Sequence, residues 1–247
     1  MRAFSANLGF LWTDRPLPDA IRAAKAAGFA AVECHFPYAI PATETRAALV
    51  ETGLRMMSLN TRPGGPGDFG LLALKGRETE ARAAIDEAFA YALATDTRAV
   101  HVMAGKHGDD ATYHANLAYA CDSAPPGMTL LIEAINRWDV PGYHLNTIAQ
   151  AVDTLKTLHR PNLKLMFDCY HVGRTEPEVF DRFDTLRPLI GHIQIAAVPD
   201  RGTPDHGSVD YATLLPRLNW PGPIGAEYKP TGPTDASLDW LPRLSAC

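Results

Sequence analysis

Four oxygen-donor side chains stand at or near the ends of short apolar runs in the second half of the chain. Glu133 closes the run 129–133, Asp168 closes 163–168, Gln194 lies near the end of 189–195, and Glu227 lies near the end of 224–228. A carboxylate at the end of an apolar strand is costly to bury unless something compensates it. Any one of them alone reads more readily as a helix cap or a solvated loop residue. Three carboxylates in one place repel each other, and a bound divalent cation is the simplest compensation. The set holds no sulfur and no imidazole. Such a hard, oxygen-only set favours Mg²⁺ or Mn²⁺ and argues against a structural zinc. Alternation along an extended chain puts Glu227 on one face with Gly225 and Lys229, Gln194 with His192, and Glu133 with Leu131.

A repeating pattern must position these residues. Runs with strand character at 4–7, 31–34, 55–59, 99–102, 129–133, 163–168, 189–195 and 224–228 alternate with helical stretches. The helices are expected at 20–27, 44–51, 78–94, 112–121, 147–158, 177–183, 211–215 and 236–244. Gly28 and Gly53 close the first two, and Pro177 suits the first turn of the sixth. Eight strand–helix units with no linker predict one parallel α/β domain over residues 1–247, and eight units favour a closed (β/α)8 TIM barrel. The competitor is a doubly wound open sheet. It normally carries a Gly-rich phosphate turn, and neither GxGxxG nor a GxxxxGKS or GxxxxGKT run occurs here. Gly64-Gly65-Pro66-Gly67 has no Lys-Ser or Lys-Thr behind it and reads as a mobile loop. A barrel builds its active site at the C-terminal ends of its strands, where the four donors would converge.

Bulk properties narrow the partners. Charged residues make up 21% of the chain and hydrophobic ones 46%, which excludes the disordered and membrane classes. With 23 Lys+Arg against 28 Asp+Glu the formal charge is −5, so no bulk attraction to nucleic acid is expected. Cys34, Cys121, Cys169 and Cys247 are scattered without a CxxC pair, which reads as free thiols in a reducing compartment. The N-terminus lacks a signal-peptide core, and the expected location is the cytoplasm.

Other residues could complete a pocket. His171 follows Asp168 by one short turn and could bond a substrate oxygen or orient Glu133. Asn7, Glu33 and Asn60 end earlier strands and could line the site, whereas His192 and His101 read as packed core residues. Trp12, Phe36 and Trp138 lie in loops and could wall the pocket or pack between subunits of a homo-oligomer. A substrate carboxylate would need a cation. Lys229 is the first candidate because it shares the parity of Glu227, followed by Arg201 and then Arg62.

Longer stretches carry a resemblance. They are Phe4-Ser5-Ala6-Asn7-Leu8; Val32-Glu33 with Phe36-Pro37-Tyr38; Leu131 to Asn136 with Asp139 to Leu145; Phe167-Asp168-Cys169-Tyr170-His171; Gly191 to Ala196 with Arg201-Gly202; and Glu227-Tyr228-Lys229-Pro230. In these the chain resembles the hydroxypyruvate isomerase family, within the sugar isomerase and epimerase barrels that include xylose isomerase. The resemblance implies a metal held by Glu133, Asp168, Gln194 and Glu227, with Glu133 and Glu227 as the proton-transfer pair. The implied reaction interconverts hydroxypyruvate and tartronate semialdehyde, or acts on a close hydroxy-oxo acid such as a 2-oxo-tetronate. Three departures bear on substrate identity and loop closure. Pro204-Asp205-His206-Gly207-Ser208 replaces the family's Pro-Gly-Thr-Gly-Glu, Ala134 replaces a proline, and the region 106–126 is short.

The same metal chemistry could serve a lyase similar to inosose dehydratases, or an epimerase. An endonuclease barrel would need several histidine ligands and a basic face. A non-catalytic sugar-binding barrel would have no need of an intact four-donor set.

Overall fold

Parallel strands covered on both sides by helices must be apolar on both faces, and short runs of that kind recur along this chain. In a computed structural model, which describes residues 1–176 and 178–246, they become eight strands. These are β1 (Phe4–Asn7), β2 (Ala31–Cys34), β3 (Arg55–Asn60), β4 (Ala99–His101), β5 (Thr129–Glu133), β6 (Leu163–Asp168), β7 (Ile190–Ile195) and β8 (Ile224–Ala226). Each pairs in parallel with the next, and β8 returns to β1 through Phe4↔Ile224, Ser5↔Gly225 and Ala6↔Ala226. The barrel is closed, the architecture that eight strand–helix units favoured over an open sheet.

The helices are α1 (Leu17–Ala26), α2 (Ala42–Thr52), α3 (Glu78–Thr95), α4 (Asp110–Ser123), α5 (Ile148–Leu158), α6 (Cys169–Thr175), α7 (Val179–Leu186), α8 (Tyr211–Leu218) and α9 (Trp240–Ser245). Their ends follow local chemistry. Asp109 and Asp210 cap α4 and α8, and Thr147 with Gln150 forms a capping box on α5. Gly53 ends α2 in the left-handed region, with φ of 67°. The seam between first and last strands is sealed from outside by Trp240, which meets Phe4, Phe29 and Tyr228 edge-on at 5.1–6.2 Å.

Three elements differ from expectation. First, α6 follows β6 without a loop, because Asp168 accepts a hydrogen bond from the Tyr170 N–H at 2.8 Å and so caps it. The apolar Cys169-Tyr170-His171-Val172 gave no sign of that switch. Secondly, β8 ends at Ala226, so Glu227 stands just beyond it, although its N–H still reaches the Ile195 carbonyl at 3.1 Å. Thirdly, the last expected helix divides into a 3₁₀ turn at Thr234–Ser237 and α9. Pro177, expected in the first turn of a helix, and Cys247, expected as a free thiol, lie outside the described residues. The other three cysteines are free and buried. Among the described residues no helix is long and apolar enough to cross a membrane.

Candidate active site

Glu133, Asp168 and Gln194 end or nearly end three consecutive strands, and the pairing sets Asp168 beside Gln194 and Glu133 beside Met166. Glu227 follows the next strand. A cavity of about 640 Å³ opens at this end of the barrel, with Glu133, Glu227, His171 and Arg201 among its lining residues. Glu133 Oε1, Asp168 Oδ2 and Gln194 Oε1 are buried acceptors that meet no donor among the described residues. An unmet buried acceptor costs about 1–3 kcal/mol. Three of them on adjacent strands are what a hard divalent cation would satisfy, and the donor set fits one. Burial, then Glu227 and Asp168, pushes the Glu133 carboxyl well above the usual range. Burial, then Glu227, pushes Asp168 up to about 8.

Glu227 is in the opposite condition. Its Oε1 accepts from Asn7 Nδ2 at 3.0 Å and lies 2.9 Å from His35 Nε2, while its Oε2 accepts from Arg201 Nη2 at 2.9 Å. Burial raises its pKa, but Arg201 and His35 together outweigh that and hold the carboxyl well below the ordinary range. A carboxylate offers about four lone-pair positions. Three neighbours leave Glu227 room for one further contact.

His171 presents an N–H to the cluster. Asn136 Oδ1 accepts from the backbone of Trp138 and Asp139 at 3.1 and 3.0 Å, which turns its Nδ2 toward His171 Nδ1 at 2.7 Å. The ring proton is thereby assigned to Nε2, which faces Asp168 Oδ2 at 3.6 Å and Glu133 Oε1 at 3.7 Å. Burial lowers the pKa of His171 well below its usual value, so the ring is neutral. Glu133, Asp168 and His171 can each bring one ligand atom within 4.8 Å of the others. With Asn136 donating to Nδ1, however, His171 offers a donor there and not a lone pair.

Glu33 and Asn7 were expected on the pocket wall. Both are buried beneath it. Glu33 lies 2.6 Å from His192 Nε2 and accepts from Gln194 Nε2 at 2.8 Å and Asn7 Nδ2 at 3.1 Å. That layer aims the Gln194 amide so that its oxygen stays free. Gly225 makes the layer possible, since a Cβ there would stand 2.5 Å from Glu33 Oε1. His192 is the satisfied core histidine that was expected, and Asn60 lines the cavity.

The cation inside the cluster is Arg201, not Lys229. Arg201 is half-buried, its side chain 11% exposed, 3.8 Å from Asp168 Oδ2 and 3.6 Å from Asp139 Oδ2, and its guanidinium lies over Phe10 and Tyr170 at 4.7 and 5.0 Å. Lys229 lines the exposed rim, its Nζ 5.6 Å from the Phe10 ring. Arg62 turns outward to Glu87 and the Tyr38 ring. The divergent segment after Arg201 is tied by Asp200–His206 at 2.8 Å and by Arg243–Asp205, and it leaves Arg201 in the site. Trp12 packs against Phe29 away from the cavity, and Phe36 lines it. Trp138 lies outside the lining, near Arg137 and Arg174.

His35 was not anticipated. Its only sequence signal is a shared parity with Glu33 just past a strand end. Its ring occupies the space that any side chain at position 9 would fill, for a Cβ on Gly9 would meet ring atoms at 2.2–2.4 Å. Phe10 contacts it edge-on at 5.1 Å. Gly9→Ala should therefore lower stability by about 1–3 kcal/mol through overpacking. The same change made in a His35→Ala background should cost much less. Urea unfolding of the four proteins checks this, and equal costs in both backgrounds would refute the contact.

The chain matches known proteins over nearly its whole length. It is 41% identical to a 2-oxo-tetronate isomerase from Cupriavidus necator, covering 98% of both sequences. It is 38% identical to a Danio rerio protein provisionally named hydroxypyruvate isomerase, over 96% of this chain and 94% of that one. A solved Brucella melitensis structure, described as AP endonuclease, family 2, superposes with a TM-score of 0.93 at 34% identity, covering 98% of this chain and 99% of that one. With full-length relatives of this kind the chain is an isomerase. The xylose isomerase-like TIM barrel profile matches residues 21–244, and the chain belongs to that family.

Proposed function

We propose that this isomerase moves a proton between adjacent carbons of a short hydroxy-oxo acid, interconverting hydroxypyruvate and tartronate semialdehyde or acting on the longer 2-oxo-tetronate. The observation that carries the reading is the pair of glutamates on one cavity wall, Glu133 from β5 and Glu227 from beyond β8, beside three orphaned oxygen acceptors. A Mg²⁺ or Mn²⁺ ion held by Glu133, Asp168 and Gln194, with the remaining position on Glu227, would supply the Lewis acidity that makes a C–H beside a carbonyl acidic.

The chain's own groups do the rest. One glutamate carboxylate takes the proton from the carbon that bears the hydroxyl, leaving an enediolate on the substrate. The other glutamate delivers a proton to the neighbouring carbon. The hydroxyl proton passes to the former carbonyl oxygen, so atoms and charge balance in both directions. The three neighbours of Glu227 fix its direction, and the N–H of His171 stands ready for an oxygen on which charge develops. Arg201 is engaged by carboxylates, whereas Lys229 lines the rim and forms no ion pair among the described residues, which suits it to the substrate's carboxylate. Phe10, Phe36 and Phe69 give the cavity an apolar wall. The endonuclease name of the Brucella relative transfers poorly, because the donor set is oxygen-only and the net charge is −5.

Proton NMR in deuterated water tests the reading. Hydroxypyruvate should exchange its carbon-bound protons in the presence of Mn²⁺ or Mg²⁺, and chelation should stop the exchange until metal is returned. Glu133→Gln and Glu227→Gln should each lower turnover by about 100-fold or more while the proteins remain folded. Full activity without metal, or near-normal turnover in either variant, would sink the assignment. A dehydrated product in place of exchange would indicate a lyase.

Lys229→Met separates two further roles. If Lys229 meets the substrate carboxylate, KM for hydroxypyruvate should rise about tenfold or more with Mn²⁺ affinity unchanged. Unchanged kinetics would remove Lys229 from the site.

A further inference from the structure

We infer that His101 touches the substrate, its Nε2 accepting a hydrogen bond from the hydroxyl next to the substrate's carbonyl. This deepens the isomerase reading and rests on it for the identity of the substrate. His101 is the last residue of β4, its side chain is 2% exposed, and it lines the cavity. Its expected place within a strand had suggested a packing role. Its Nδ1 lies 3.7 Å from Glu133 Oε2, and its Nε2 meets no partner among the described residues. Glu133 is thus bracketed by two imidazoles, His171 on one oxygen and His101 on the other.

The two rings present opposite faces. A neutral imidazole has one N–H and one lone pair. Asn136 assigns the His171 proton to Nε2. In His101 the Glu133 carboxyl 3.7 Å from Nδ1, a carboxylate once it holds a cation, attracts the proton to that nitrogen electrostatically and leaves the lone pair on Nε2. A buried ring nitrogen is costly to leave unmet, so a group missing from the chain must meet it. On the described cavity wall the other orphaned atoms are Glu133 Oε1, which suits a cation, and Arg201 Nε, which is a donor. The wall therefore has donors for a carboxylate and a carbonyl, and His101 Nε2 is the acceptor left over for a hydroxyl. The site would select a 2-oxo acid that is hydroxylated on the reacting carbon.

Pyruvate differs from hydroxypyruvate by that one hydroxyl. Dissociation constants for both, from ligand-dependent thermal shifts of the Mn²⁺-loaded protein, test the inference. The parent should prefer hydroxypyruvate, and His101→Phe should cut that preference roughly tenfold or more while pyruvate affinity stays within about twofold. His101→Gln, which keeps an acceptor, should recover part of the preference. If the phenylalanine variant does not fold, His101→Asn, too short to reach the same point, carries the same expectation. A parent with no preference, a variant that keeps it, or equal weakening of both ligands would overturn the inference. Deuterium exchange in the same samples reports separately on catalysis. Absence of exchange with the hydroxyl preference intact would remove the isomerase reading and still support the contact.

Discussion

Three buried carboxylates, Glu133, Asp168 and Glu227, share one barrel mouth, and the rest of the site is arranged around the cost of keeping them there. Each is nearly inaccessible to water, so solvent screens their repulsion little. The protein answers Glu227 with three polar neighbours from three parts of the chain, Asn7, His35 and Arg201. It gives Asp168 one backbone donor and a distant guanidinium. It gives Glu133 two imidazoles at 3.7 Å, beyond ordinary hydrogen-bond distance. The compensation is therefore uneven, and its deficit falls on the side where the acceptors of β5, β6 and β7 face inward. A cation bound there would complete a balance that the protein leaves open.

The scaffold holds this arrangement by layering. Below the mouth, Glu33 joins His192, Gln194 and Asn7 into a buried polar layer. A half-satisfied layer of that kind would be worse than an apolar one. Here both oxygens of Glu33 are engaged, and the Asn7 and Gln194 amides spend donors on it. Gln194 thus has its nitrogen tied down and its oxygen left without a donor among the described residues, and Asn7 links Glu33 to Glu227. Glycine supplies the space at two contacts. Gly225 admits the Glu33 carboxylate, and Gly9 admits the His35 ring.

Much of this was legible in the residues, for identifiable reasons. The barrel could be read because parallel strands buried on both faces give short continuous apolar runs, and eight of them alternate with helical stretches. Glu133, Asp168, Gln194 and Glu227 stood out because each interrupts such a run at its end. Less legible was anything set by contacts across the barrel. Parity puts Lys229 with Glu227, but the strand stops at Ala226, and Lys229 reaches the rim while Arg201 enters the cluster. Glu33 stands one residue from the end of its strand, as Gln194 does, yet it is engaged by His192, Gln194 and Asn7 and is absent from the cavity wall. His35 shares only a parity with Glu33, and its role depends on the absence of a side chain at Gly9. Helix α6 was hidden because its first turn is apolar and its cap is the site residue Asp168 itself.

The central claim is that the open balance at the mouth is closed by one divalent ion. Crystals of the protein soaked in Mn²⁺, with an anomalous difference map, test it most directly. The account predicts a single strong peak about 2.1–2.3 Å from oxygens of Glu133, Asp168 and Gln194, beside Glu227 and clear of His171. No peak there at saturating Mn²⁺, or a peak coordinated by imidazole nitrogens in place of those oxygens, would contradict it.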